Sequence, residues 1–311
     1  MSGMQAPAER NAMPGAVRAV LPDGRRRHFQ HGPIDLVLEA FGPAGEVAAF
    51  HEQAWARFRT VLGELVGELA ALRSDVGAMP AVRSSTARRM AAACAPHRGA
   101  FVTPMAAVAG AVADEVLAAG IAGRNLSRAY VNNGGDIALH LAPGERFRTG
   151  MVALGDMPEA AGIAGIRSED GIGGVATSGW RGRSLSLGIA DSVTVLAETA
   201  AAADVAATLI ANAVDVDSPA VIRTPARDLD PDSDLGGRPV TVGVGALTTA
   251  GIETALEAGR AAAQAMIGRR LIAGAALVLC GRNAVAGGAT LPAIADGGPV
   301  VYRREDRARA A

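Results

Sequence analysis

The sequence predicts an α+β fold: mixed, largely antiparallel sheets packed against helices. Two observations carry this. Helical and strand-like stretches are mixed without a regular βαβ repeat. Several strand-like stretches also come in pairs joined by turn residues, as hairpins do. Half of the 311 residues are hydrophobic, enough for a sizeable core.

The elements are read in chain order. Residues 1–24 are rich in Pro, Gly, Ala and Arg and are expected to be a flexible N-terminal segment. RRRHFQHGPIDLVLEAFG reads as two strands with HGP as their turn, the second alternating at Ile34, Leu36 and Leu38. From Glu46 to Asp75 a long helix is expected, because Phe58, Leu62, Leu65, Leu69 and Leu72 recur three or four residues apart. RSSTARRMAAAC reads as a second helix capped by Ser85 or Thr86. FVTPMAAVAGAVADEVLAAGIAG reads as a buried helix beginning near Pro104, since proline suits a first helical turn. AYVNNGGDIALHLAPG is strand, turn, strand, and RFRTGMVAL is expected to pair with it. GIGGVATSGWRGRS reads as a Gly-rich loop, DSVTVLAE as a strand and TAAAADVAATLIANAV as a helix. RDLDPDSDLGGRP is a polar loop, PVTVGVGAL a strand, IETALEAGRAAAQAMIGRRLIAG a helix, and ALVLCGRNAVAGG a strand and turn. A single domain is expected over residues 25–300, followed by an Arg-rich tail over 301–311.

Composition narrows the function. All 30 basic residues are Arg, so a Schiff-base lysine and a P-loop lysine are excluded. A formal net charge of -1 and 3% aromatic residues argue against nucleic-acid binding, which uses a basic surface and stacking platforms. Cys94 and Cys280 show neither a disulfide framework nor a metal-binding spacing, and Cys280, ending the apolar run LIAGAALVLC, is expected in the core. The N-terminus lacks a signal-peptide pattern. Asp114, Glu115 and Asp204 interrupt the Ala-rich runs, leaving no clean apolar stretch of about 20 residues to span a membrane. The expected setting is the cytoplasm, without membrane or nucleic-acid partners; a homo-oligomer stays open.

Three constellations could carry chemistry. Asp204 and Thr208 lie four apart on a helix, so a carboxylate and a hydroxyl share one face. They could be part of a Mg²⁺ site, or Asp204 could cap a neighbouring helix while Thr208 bonds its own turn. Ala176-Thr177-Ser178-Gly179 offers hydroxyls and open backbone N–H groups of the kind that cradle phosphate, with Arg181 and Arg183 close behind for bidentate contacts. Asn132, Asn133, Gly134, Gly135 and Asp136 form either a hairpin turn or the wall of a binding site. The alternating Asp228, Asp230, Asp232 and Asp234 are read as a solvated loop, because Leu235 and Thr241 stand where a calcium loop needs Gly and Glu. The five His residues have no metal spacing.

In this order, Gly110 with Asp114, Gly134-Gly135-Asp136, Ala176 to Gly179, and Asp204 with Thr208 resemble the ApbE family of FAD:protein FMN transferases. The match is closer to an uncharacterised sister family. The resemblance covers roughly residues 100–215 and implies a T-fold-related architecture. It implies Mg²⁺ held by Asp204, Thr208 and a backbone carbonyl near Ala106. It also implies a flavin nucleotide, FAD or FMN, bound by Asn133, Gly134, Gly135, Asp136, Thr177, Ser178 and Gly179. The implied activity is transfer of FMN from FAD to a Thr or Ser of an acceptor protein. There are departures. Ala109 replaces the Lys that the transferases carry before the Gly, and WRGRSLSLGIADS replaces their His-containing loop. Arg181, Arg183, Ser184, Ser186 and Asp191 occupy that interval and could serve a different reaction, with Arg181, Arg183 and Asp191 as the candidate catalytic residues. The alternatives are a non-catalytic flavin-binding or chaperone protein, or an enzyme acting on another small anionic substrate.

Overall fold

In the computed structural model, which describes residues 15–78, 81–153 and 159–287, the chain begins with three strands: β1 (Val17–Val20), β2 (Arg27–His31) and β3 (Ile34–Phe41). Next come helices α1 (Ala44–Gly67), α2 (Leu69–Leu72), α3 (Ser85–Cys94) and, after a 3-10 turn at Pro104–Ala107, α4 (Val108–Ile121). Six strands follow, β4 (Arg128–Asn133), β5 (Asp136–Leu141), β6 (Arg146–Ala153), β7 (Glu159–Arg167), β8 (Gly174–Ser178) and β9 (Ser192–Ala197), and then helix α5 (Ala200–Ala213). The remainder is β10 (Val221–Pro225), α6 (Ala226–Leu229), β11 (Pro239–Val244), α7 (Thr249–Gly268), β12 (Gly274–Leu279) and β13 (Arg282–Gly287).

Nine strands form one antiparallel sheet in the order β1-β2-β3-β4-β5-β8-β9-β12-β13, while β6-β7 and β10-β11 are separate two-stranded ribbons. The α+β reading therefore holds. Alternation along each strand sends its residues to opposite faces. Val193, Val195, Leu277 and Leu279 pack with α5 and α7, and Leu36, Leu38, Ala129 and Val131 pack with α1 and α4. On the other face, Leu196 and Ala276 join Val175, Ile172 and Ile166 in a smaller cluster. With few aromatics, the core depends on Ala and Val, and the helices lie close to the sheet and to each other.

Several elements differ from the sequence expectation. Val17–Val20, inside the segment expected to be flexible, pairs with β2 as an edge strand. The long first helix stops at Glu68, whose φ of -116° leaves the helical region, and Leu69–Leu72 restarts it. The cap of α3 is Ser84, whose hydroxyl accepts from the Ala87 N–H, rather than Ser85 or Thr86. β6 pairs with β7 and not with the β4-β5 hairpin. The Gly-rich stretch conceals β8, which supplies five residues to the middle of the sheet. Cys280 is exposed, not core: it sits in the β12-β13 turn with φ 49°, where the apolar run has already ended. The Arg-rich tail lies outside the described residues. Pro104–Ile121 is long and apolar enough to cross a membrane, yet 56% of it is buried inside the protein, against α1, α5 and the sheet.

One buried group makes stability depend on pH. His51, on α1, is 5% exposed, and its Nε2 has no partner among the described residues. Burial, then repulsion from Arg27, lowers its pKa to about 4. The unfolded chain takes up this proton first, so stability is complete above the ordinary value of 6.5 and falls as pH drops from there to about 4. The full loss is at most about 3 kcal/mol. Urea denaturation at pH 7 and pH 4.5 should show a smaller acid loss for His51→Leu than for the wild type. Equal losses would rule His51 out as the cause.

Candidate functional site

The site is built where two helix N-termini meet. A helix leaves its first N–H groups without internal partners, and here α4 and α5 cap one another. Asp114, on α4, accepts from the first N–H groups of α5: Ala200 at 3.0 Å and Ala201 at 2.9 Å. Asp204, on α5, accepts from Gly110 on α4 at 2.9 Å, and the Ala109 N–H also favours its charged form. Thr199 completes the α5 cap by accepting from Ala202. Such close approach requires small residues. A Cβ on Gly110 would lie 2.3 Å from the Ala200 carbonyl oxygen, and one on Gly174 would lie 2.1 Å from the Thr199 carbonyl carbon. The first turn of α5 thus passes between α4 and β8, which fixes Asp204 in place.

The β4-β5 turn lies beside this junction. Gly134 has φ 66°, a left-handed conformation that suits glycine, and Gly135 donates its N–H to Asn132 Oδ1 at 2.8 Å. Asp136 opens β5 and accepts from the Thr177 N–H on β8 at 3.2 Å. The Arg183 guanidinium packs on Gly134, where a Cβ would come within 1.9 Å of its Nη2. A cavity of about 490 Å³ results, lined by Asn132, Gly134 to Ile137, Thr177 to Gly179, Arg181 to Ser184 and Ala109.

Electrostatically the junction is acidic. Burial pushes Asp136 up to about 7, against the Thr177 N–H and Arg183, which favour its charged form. Burial, then the Asp136 charge, raises Asp204 well above the carboxylate range. Asp114 is pushed up to about 6 by burial, although two N–H bonds oppose the shift. Neighbouring carboxyls that resist ionising together are the donor type that a hard divalent cation takes up. The residues therefore fit Mg²⁺, with oxygen donors only. Among the described residues there is no cluster of three or more His, Cys, Asp or Glu for a metal that needs one.

Most of the residues expected at the site converge, and some do not. Gly134, Gly135, Asp136, Thr177, Ser178, Gly179, Arg181 and Arg183 share the cavity. Asn133 does not reach it. Its side chain is buried and donates to the Ala109 carbonyl at 3.1 Å, tying β4 to α4. Asn132 lines the cavity instead, because successive strand residues face opposite sides; alternation from buried Ala129 and Val131 carries the signal. Asp191 also lies outside the lining, with Oδ1 accepting from Arg181 Nε at 2.8 Å and Oδ2 from the Cys280 N–H at 2.6 Å. It positions Arg181 from below and does not face the cavity. Thr177 turns its hydroxyl to Thr194, 2.9 Å away, so at that residue the backbone and Ser178 carry the wall. Thr208, one turn beyond Asp204, and Ala106, in the turn packed on α5, lie outside the lining. Ala109 and Ser184, noted in the sequence as departures from the transferases, also join the wall, and Ile137 and Gly182 do so without having been singled out.

A family model described as AbpE bacteria matches residues 18–285. The chain belongs to this family. The ApbE-like relationship expected from the ordered motifs therefore holds, and the match extends well beyond them on both sides. A UPF0280 protein of Methanopyrus kandleri is 39% identical over 118 residues, covering 38% of this chain and 46% of that protein. A UPF0280 protein of Methanosphaerula palustris is 40% identical over 132 residues, covering 42% of this chain and 53% of that protein. The chain thus matches about half the length of these relatives. Among solved structures, the flavinyl transferase ApbE of Pseudomonas stutzeri is 14% identical with a TM-score of 0.44, covering 87% of this chain and 94% of that one. The flavin transferase ApbE of Vibrio cholerae is 14% identical with a TM-score of 0.38, covering 87% and 97%.

Proposed function

We propose that this member of the AbpE bacteria family binds a flavin nucleotide with Mg²⁺ and transfers FMN from FAD to a Ser or Thr hydroxyl of an acceptor protein. The observation that carries the reading is the convergence of the Gly134–Asp136 turn, the Thr177–Gly179 strand end and Arg181–Arg183 on one 490 Å³ cavity beside Asp204. That volume is in the range of small-ligand sites. Glycine backbone and two guanidinium groups suit the phosphates of a dinucleotide. Asp204, Thr208 and a carbonyl near Ala106 would hold Mg²⁺, which when bound neutralises charge on a pyrophosphate. In the transfer, the acceptor hydroxyl oxygen bonds to the FMN-side phosphorus. The anhydride P–O bond breaks, AMP leaves with the bridging oxygen, and the hydroxyl proton passes to Asp136. Asp136 is the one carboxylate among the described lining residues.

Incubating the protein with FAD, Mg²⁺ and candidate acceptors tests this: a fluorescent flavin band on the acceptor is expected, with release of AMP. Calorimetry on Asp204→Asn tests the metal role separately. The variant should lose Mg²⁺-dependent FAD binding at least tenfold, yet unfold at the same or a higher temperature without ligand, because the Asn amide oxygen can still accept from the Gly110 N–H and the side chain never carries a buried charge. Unchanged binding would overturn the role of Asp204. A second reading, binding without transfer, is favoured by the lining between Gly179 and Ser192, which carries Arg181 to Ser184 and no His. FAD binding without AMP release supports that reading.

A further inference from the structure

A larger cavity, of about 840 Å³, lies between α3, the first turn of α5 and the end of α7, and shares no lining residue with the first. Arg270 stands at its rim in an unusual backbone state. Helix α7 ends in a Schellman motif: Arg270 N–H bonds the Ile267 carbonyl at 2.8 Å, and Leu271 N–H bonds the Met266 carbonyl at 3.0 Å. The left-handed position of that motif normally holds glycine, and here it holds Arg270 with φ 57°. A side chain there is disfavoured by contact between its Cβ and the backbone. Simple complementarity to the helix dipole does not require it, since the preceding residue, Arg269, already supplies a cation. The Arg270 guanidinium has no hydrogen bond or ion pair among the described residues.

His97 gives an independent observation. It lines the same cavity, is only 7% exposed, and its ring has no hydrogen-bond partner among the described residues. Burial, then the neighbouring Arg269, keeps it below its usual pKa, so at neutral pH it offers one N–H and one lone pair. Its ring nitrogens are not among the fully buried unpartnered atoms, so they are open to a ligand in the cavity. The rest of the wall is largely apolar, with Pro96, Ile267 and Ile272. The two acidic residues there do not compete for Arg270 equally. Asp114 is occupied by the Ala200 and Ala201 N–H groups, whereas Glu198 is exposed at the edge. The N–H groups at the start of α5 are capped, so recognition would fall to side chains.

We propose that this cavity is a second ligand site, taking an oxyanion carried on a small apolar body, with Arg270 on the anionic group and His97 hydrogen-bonded beside it. It stands independently of the flavin reading. Three probes test it by calorimetry on the full chain: phenylphosphate, phenylacetate and inorganic phosphate. One of the two aromatic anions should bind, and the arm that does so identifies the oxyanion as phosphate or carboxylate. Inorganic phosphate should bind at least tenfold more weakly. Binding should shift the His97 ring resonances. Arg270→Gly suits the left-handed backbone, so its unfolding temperature should be equal or higher, while affinity for the aromatic anion drops at least tenfold. The proposal is overturned if neither aromatic anion binds, if Arg270→Gly binds as the wild type does, or if inorganic phosphate binds equally well.

Discussion

Gly110→Ala should be strongly damaging for a change of one carbon. The added Cβ would fall 2.3 Å from the Ala200 carbonyl oxygen and 2.7 Å from the Ala201 nitrogen, both backbone atoms of α5. Neither helix can step aside without loss. Moving α5 away from α4 stretches the Asp114 bonds to Ala200 and Ala201 and the Asp204 bond to Gly110 together. Overpacking a rigid site costs about 1–3 kcal/mol, and loss of a helix cap adds about 1 kcal/mol. A destabilisation of about 3 kcal/mol is expected by urea denaturation, with loss of FAD binding because Asp204 moves. Gly63→Ala is the control with the opposite sign. Gly63 lies exposed within α1, and a Cβ there meets nothing within 4 Å. It should stabilise by about 0.5–1 kcal/mol through helix propensity. If Gly110→Ala proves as harmless as Gly63→Ala, the mutual capping of α4 and α5 is not what holds the junction.

That junction also shows how much can be read in a sequence. The spacing of Gly110 with Asp114 and of Asp204 with Thr208 is visible, and so is the helical period around each pair. What spacing alone does not carry is the partner. Asp204 caps the helix that holds Asp114, a pairing across some ninety residues that only the packing establishes. Helices with apolar faces and hairpins with marked turns are local and legible: the β2-β3 turn falls at Gly32 and Pro33 as expected. β8 is not legible, because its one glycine, Gly174, reflects the backbone at the start of α5 crossing beside it, a long-range demand that reads locally as a loop. Cys280 misleads for the reverse reason. Its apolar neighbours belong to β12, but the run is one residue longer than the strand and its last member turns outward. At the site, the Gly and Asp tips of the turn could be read directly. Asn132 and Asn133 could be told apart only by carrying strand alternation through to the final residue of β4.

Glu115→Ala should destabilise the fold by about 2–3 kcal/mol while leaving the nucleotide cavity intact. Glu115 is 7% exposed and joins three helices: Arg57 Nε on α1 donates to Oε1 at 2.9 Å, and Arg89 Nε on α3 donates to Oε2 at 2.6 Å. Breaking a buried ion pair from one side costs about 3–5 kcal/mol. The smaller figure is expected here because Arg57 retains Glu64 through bonds of 2.8 Å and 2.7 Å, and because Arg89 is substantially exposed. Burial opposes the Glu115 charge, but Ser85, Arg57 and Arg89 outweigh it and hold the carboxyl below its ordinary value. Its contribution is therefore present above the unfolded pKa of about 4.3 and is lost as pH falls through the folded value. A double-mutant cycle with Arg57→Leu and Glu115→Leu should give a coupling above about 1 kcal/mol at pH 7 that shrinks in acid. A coupling near zero would mean that the helices are held by their apolar faces alone. Because Glu115 touches α1 and α3 rather than α5, FAD binding should survive its loss. Glu115→Ala thus loosens the fold without touching the site, whereas Gly110→Ala disturbs both.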